Sequence, residues 1–302
     1  MAGYIFVYFT EEDKGGEQVY FSISRDGLYW QDLNAGQPTL VSSIGDSGVR
    51  DPFLVKHPKT GMFYLMATDL CMKRRNHNWD GAVRHGSRDL IFWESSNLVN
   101  WSKPRAVTLA PIEAGCAWAP EAVWDDKKQA FLVFFACYTH DEGESKHRIY
   151  AVHTNDFVSF SPASKYIERE RSVIDTTIIG EGDFYYRFSK DEVSAVIKVD
   201  RGNNLFGVFE QIPCSTLDGL LGLEGPECYR LPDGRWCLIC DRFAARKGYL
   251  PIVIDDLAKG EMHVLEDSDF SFGNQLKRHG GVLEISDEDY IRLQNYYANL
   301  RS

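Results

Sequence analysis

The chain has 302 residues, of which 44% are hydrophobic and 13% aromatic, and its formal net charge is -11. Length and apolar content suffice for a large core, in one big β domain or two ordinary ones. The negative charge argues against a phosphate-backbone partner, which needs a concentrated positive field, and no apolar run is long enough to span a bilayer as a helix.

From the N-terminus, YIFVYFT (4–10) and QVYFSISRDGLYW (18–30) read as strands rich in aromatic and β-branched residues. The opening MAGYIFVYFTEED has no basic leader and a short apolar run. As it stands this predicts a cytoplasmic protein, or a secreted or periplasmic one if a leader has been removed. Next comes VRDPFLV (49–55), which sets an acid at the mouth of a short apolar run, and the cadence returns in WAPEAVW (118–124), VIDTTII (173–179) and LEGPECY (223–229). Each opens a longer unit of strand, turn and strand: DPFLVKHPKTGMFYLMATD, APEAVWDDKKQAFLVFFAC, DTTIIGEGDFYYRFSKD and GPECYRLPDGRWCLICDRF. A second unit, a strand running into a turn and an aromatic, appears as SRDGLYW, SSNLVNW and TNDFVSF, ending at Trp30, Trp101 and Phe160. The run Lys73-Arg74-Arg75 reads as a solvated loop.

The acid-bearing strands begin near residues 51, 119, 175 and 225, one every 50 to 68 residues. That is the scale of a four-stranded propeller blade. The N-terminal strands lack an innermost partner, and HGGVLEIS (279–286) is an innermost strand with nothing after it. Joining the two ends makes a fifth blade and removes the open sheet edge. The tail SDEDYIRLQNYYANL then reads as a helix over about 287–300, with Ser286 as N-cap, Asp289 three residues on, and Tyr290, Leu293, Tyr297 and Leu300 along one face. The predicted fold is all-β: a five-bladed β-propeller closed by the N- and C-terminal strands, forming one catalytic domain over 1–302 with a short C-terminal helix.

Seven cysteines leave at least one thiol unpaired. Cys237 and Cys240 lie three apart in RWCLICDRF, a strand, so they face opposite sides and read as ordinary buried thiols rather than metal ligands. Carboxylates at the mouths of innermost strands are different, because those ends converge on one face of the ring. Acids distant in sequence then share a pocket, as glycoside hydrolysis requires of a proton donor and a water activator.

VRDPFLV, VIDTTII and LEGPECY, in this order on a five-bladed ring, resemble the three-acid pattern of glycoside hydrolase family 43 from about residue 3 to 290, and KRHGGVL is similar to the family's stretch carrying an axial histidine. The resemblance implies Asp51 as general base, Glu224 as general acid and Asp175 as the residue that tunes and orients it. It implies inversion at the anomeric carbon, with Asp51 and Glu224 roughly 6.5–9.5 Å apart. Burial and the charge of Asp175 are expected to raise the pKa of Glu224. The expected activity is exo-acting removal of terminal α-L-arabinofuranosyl groups from plant polysaccharides or oligosaccharides containing arabinose or xylose. A β-D-xylosidase or β-D-galactofuranosidase of the same family is the alternative. No cofactor is required; a structural calcium facing His279 on the axis is compatible with the resemblance.

Around the acids, Phe53 and Trp118 are expected to stack on sugar faces, and Glu121, at the same blade position as the acids, to bind a hydroxyl. Arg242 is expected to reach the pocket and pair with Asp175 or Glu224, and His279 to point along the axis. Trp79, Asp80 and His85 belong to a long first-blade loop, 71–89, that rims the pocket and with the loop 138–147 sets specificity. An invertase-like fructosidase would instead use Asp51 with Glu227, but the chain offers no N-terminal Asn-Asp-Pro-Asn stretch for its nucleophile. A non-catalytic sugar-binding propeller is a third reading; diverged blades with acids gathered at one mouth favour catalysis.

Overall fold

Successive residues of a strand point to opposite faces, and here both faces are apolar, because each sheet is sandwiched between two others. In the computed structural model, which describes residues 3–12 and 15–300, the strands form five four-stranded antiparallel sheets. Blade 1 runs from its innermost strand Val49–Lys56 through Phe63–Asp69 and Asp89–Ser95 to Arg105–Thr108. The innermost strands of blades 2, 3 and 4 are Trp118–Asp125, Val173–Glu181 and Glu224–Arg230. Blade 5 is the predicted composite: Gly280–Ile285 pairs with Gly3–Tyr8 in the register Gly3↔Ile285 to Tyr8↔Gly280, followed outward by Tyr20–Ser24 and Trp30–Asp32. Each innermost strand contacts the next around the axis, and that of blade 5 contacts that of blade 1. The ring closes.

Five clusters of buried side chains fill the five gaps between blades, and alternation along single strands feeds them. Ile5 and Val7 pack towards blade 1, whereas Tyr4, Phe6 and Tyr8 pack towards blade 4. Val133 and Phe135 join blade 1, while Phe134 and Ala136 join blade 3. Cys237 and Cys240 obey the same rule: both are fully buried, Cys237 in the gap to blade 5 and Cys240 in the gap to blade 3.

The turn expected at SRDGLYW, SSNLVNW and TNDFVSF joins the third strand of a blade to its outermost segment. Asp26, Asn97 and Asp156 each accept two backbone N–H groups through one side-chain oxygen. The hydroxyls of Ser24, Ser95 and Thr154 accept from Gly27, Leu98 and Phe157, whose φ values are 78°, 64° and 54°. Burial of Leu98 and Phe157 in the core offsets the cost of their left-handed backbone.

The C-terminal helix spans Asp287–Asn299; Ser286 caps it by accepting the N–H of Asp289 at 3.1 Å. Tyr290, Leu293 and Tyr297 enter the gap between blades 5 and 1. Leu300 does not: the helix stops before it, and it is 59% exposed. No helix among the described residues is long and apolar enough to cross a membrane.

Candidate active site

One backbone irregularity recurs in four innermost strands. Pairing with the second strand skips between Arg50 and Phe53, Trp118 and Glu121, Ile174 and Thr176, and Glu224 and Glu227. Within each skip lies a residue of positive φ: Asp51 (50°), Ala119 (48°), Asp175 (46°) and Gly225 (52°). These are β-bulges, which leave one residue out of the ladder and re-aim its side chain. Pro52, Pro120 and Pro226 follow three of them, where the missing N–H costs no ladder bond. Aspartate tolerates the left-handed region better than most residues, so the bulge can carry Asp51 and Asp175. In blade 4 it must be glycine, because a Cβ on Gly225 would fall 2.6 Å from Cγ of His279. The acid there, Glu224, stands one residue earlier.

Asp51, Asp175 and Glu224 line one cavity of about 550 Å³, together with Trp79, Trp118, Lys190, Arg278 and His279. That volume lies within the range of small-ligand sites. Thr68 accepts the N–H of Ala119 at 2.8 Å, so its own proton is free to go to Asp51 Oδ2, also at 2.8 Å. Asp175 Oδ2 accepts the N–H of Gly225 at 3.0 Å. The Nδ1 atom of His279 lies 3.5 Å from Asp51 Oδ1 and 3.7 Å from Asp175 Oδ2. Glu224 is held at both oxygens: Arg278 reaches Oε1 at 3.0 Å and Lys190 reaches Oε2 at 3.2 Å. Arg278 also donates through Nε to Asp241 at 2.6 Å, and Lys190 pairs with Glu192 at 2.7 Å.

These partners set the charges. Burial pushes the Asp175 carboxyl up to about 6, against the pull of His279 and Lys190 and helped by repulsion from Glu224 and Asp51. Burial also raises Glu224, but Lys190 and Arg278, with smaller help from Arg50 and His279, hold that carboxyl below its ordinary value. This corrects the sequence expectation of a raised Glu224, which counted burial and Asp175 without the two cations.

Other expectations are corrected by the bulge. It drops the residues that follow it, Phe53, Glu121, Thr177 and Glu227, out of the cavity. Phe53 packs on Gly281, where a Cβ would sit 2.6 Å from its ring, and offers no platform to the cavity. Glu121 and Glu227 are each 3% exposed. Glu121 therefore has no access to a sugar in the cavity. Glu227 Oε1 accepts the N–H of Val282 at 3.0 Å. Burial raises Glu121 well above its ordinary value, with the charge of Glu227 adding to it, and pushes Glu227 to about 8. The acid of the invertase-like reading is thus sealed from the cavity that holds Asp51.

Arg242 turns away. Its guanidinium donates to the carbonyls of Lys247, Gly248 and Tyr249. In blade 4 it is Asp241 that stands opposite Glu224, so the next residue points to the other face. Arg278, beside His279, takes the role expected of Arg242. Trp118 and Trp79 do line the cavity and meet edge-to-face at 6.2 Å, whereas His85 does not reach it. His279 faces two carboxylates rather than a metal cage, and among the described residues no group of three or more His, Cys, Asp or Glu side chains is arranged to hold a metal. Calcium takes six to eight oxygens, waters included; one oxygen each of Asp51 and Asp175 stands within 4 Å of His279 Nδ1.

Lys190 and Arg278 escaped the sequence reading. Lys190 pairs across the ladder with Ile174, the residue before the bulge, as Thr68 does with Arg50 and Asp241 with Glu224. In the fourth bulged strand the residue opposite Trp118 is Ala136, which is buried in the core.

Among solved structures, the chain is similar to a family-43 β-1,3-galactosidase with galactodeoxynojirimycin, at TM-score 0.58 and 12% identity, covering 87% of this chain and 88% of that one. It is also similar to the family-43 protein BlXynB of Bacillus licheniformis, at TM-score 0.55 and 17% identity, over 94% of this chain and 55% of that one. Both establish the fold. In sequence it is 32% identical to an α-L-arabinofuranosidase of Bifidobacterium longum subsp. longum, over 81% of this chain and 27% of that protein; the chain thus spans about a quarter of that relative. The family model described as "Probable glycosyl hydrolase domain", of the group related to glycoside hydrolase family 43, matches residues 1–290. With its propeller and its cavity of three acids, the chain belongs to the glycosyl hydrolase domains related to family 43.

Proposed function

We propose that this domain is an inverting, exo-acting glycosidase that releases terminal α-L-arabinofuranosyl groups from plant oligosaccharides or polysaccharides. The observation that carries the reading is the meeting of Asp51, Asp175 and Glu224 in one cavity; the glycone is suggested by the arabinofuranosidase relative. In this mechanism Asp51, fixed by Thr68, takes a proton from water as the water oxygen bonds to the anomeric carbon. Glu224 gives its proton to the glycosidic oxygen as the bond from that oxygen to the anomeric carbon breaks.

Glu224 must be protonated to do so, and in the free protein its two cations oppose that. Sugar hydroxyls entering the cavity accept hydrogen bonds from Lys190 and Arg278 and displace water. Both changes raise the carboxyl. Asp175 adds negative charge beside Glu224, which favours its protonated form. Trp79 and Trp118 form an apolar wall for the sugar ring.

A panel of 4-nitrophenyl glycosides tests the glycone. Chromophore release from the α-L-arabinofuranoside, well above the β-D-xyloside and β-D-galactofuranoside, is expected. Release from the xyloside alone would replace arabinose by xylose in this reading.

A further inference from the structure

We propose that the turn after the second strand of blade 4 forms a leaving-group subsite for a uronate sugar, with Arg246 receiving its carboxylate and Phe243 packing on its ring. The proposal rests on Glu224 being the general acid, because the leaving oxygen then lies beside Glu224 and the leaving sugar must occupy that side of the cavity.

Phe243 and Arg246 border the cavity there. The short turn Phe243–Ala245 begins two residues after Asp241, the cross-strand partner of Glu224, and Ala244 donates its N–H to the carbonyl of Gly222 at 3.4 Å, just ahead of Glu224. Of the lysines and arginines on the cavity wall, Arg50, Lys190 and Arg278 all hold carboxylates. Arg246 is exposed, and its side chain holds no carboxylate among the described residues. The wall's other acids are occupied: Glu192 by Lys190 at 2.7 Å, and Glu12 by Arg50 at 2.7 Å and His77 at 3.0 Å. A planar guanidinium presents paired donors that match a carboxylate. Phe243 is half-buried, with the Lys190 ammonium 4.4 Å from its ring centroid. A ring so fixed offers an apolar face to a sugar.

The test uses two disaccharides with the same α-L-arabinofuranosyl group, one on methyl galactoside and one on methyl galacturonide. Arabinose release is followed for the wild-type protein and Arg246→Met. The wild type is expected to prefer the galacturonide, more so at low salt. Arg246→Met should lower the ratio of kcat/KM values, galacturonide over galactoside, about tenfold through KM. An unchanged ratio overturns the subsite even if both compounds are cleaved. If neither is cleaved, the arabinose reading fails instead, and calorimetry of methyl galacturonide on Glu224→Gln decides. Binding that disappears in the added Arg246→Met change supports the subsite, and no binding overturns it.

Discussion

The Lys190 ammonium lies 3.2 Å from Glu224 Oε2 with 4% of the lysine side chain exposed, so a buried cation is tied to the acid expected to give up a proton. Removing it should free that proton donor from its strongest opposing charge. Lys190→Met is expected to move the alkaline limb of the kcat/KM–pH profile to higher pH. Burial then acts on Glu224 with only Arg278, Arg50 and His279 opposing it. An unmoved limb would show that Lys190 does not act on the acid.

Glu224→Gln and Asp51→Asn should each lower kcat on 4-nitrophenyl α-L-arabinofuranoside by about 10²–10⁴-fold or more. A 2,4-dinitrophenyl leaving group, which needs no protonation, should restore much of the rate to Glu224→Gln and none to Asp51→Asn. Glu227→Gln, sealed from the cavity, should keep substantial activity. Loss at Glu227 with survival at Glu224 would reinstate the invertase-like assignment.

Glu227 also makes a prediction about stability. Its carboxyl is raised to about 8 in the fold, so its neutral form contributes stability that is complete below the ordinary carboxylate pKa. That contribution is lost as pH rises through about 8. Thermal unfolding of the wild type should therefore fall relative to Glu227→Gln between pH 5 and pH 8. Parallel curves across that window would contradict the buried, neutral carboxyl.

Arg278 joins Glu224 to Asp241, and Asp241 is fully buried. Arg278→Met leaves that carboxylate without its partner and should cost about 3–5 kcal/mol of stability, read from urea unfolding. Adding Asp241→Asn should recover most of the stability but not the activity, because Glu224 still lacks one of its two holders.

Much of the fold was legible because the chain states it five times over. Alternation in single strands, such as Tyr4 to Tyr8, feeds two gaps between blades, and the Asp26, Asn97 and Asp156 turns repeat one backbone solution. The missing innermost strand at one end and the spare at the other gave the ring closure. Asp51, Asp175 and Glu224 were legible because the bulge leaves a mark, an acid at the strand mouth and often a proline after it. The same bulge misled the reading of Phe53 and Glu121, since an inserted residue changes which face its followers take, and no periodicity reveals it. Arg242 was set one residue away from the position opposite Glu224. Arg278 and Lys190 come from a segment and a strand whose registers are fixed by tertiary pairing.

The central claim is that water attacks the anomeric carbon from the side opposite Glu224, activated by Asp51. ¹H NMR of 4-nitrophenyl α-L-arabinofuranoside hydrolysis, recorded before mutarotation, tests it most directly. The β-anomer of arabinofuranose should appear first, with the α-anomer growing in later; the α-anomer appearing first would contradict the mechanism.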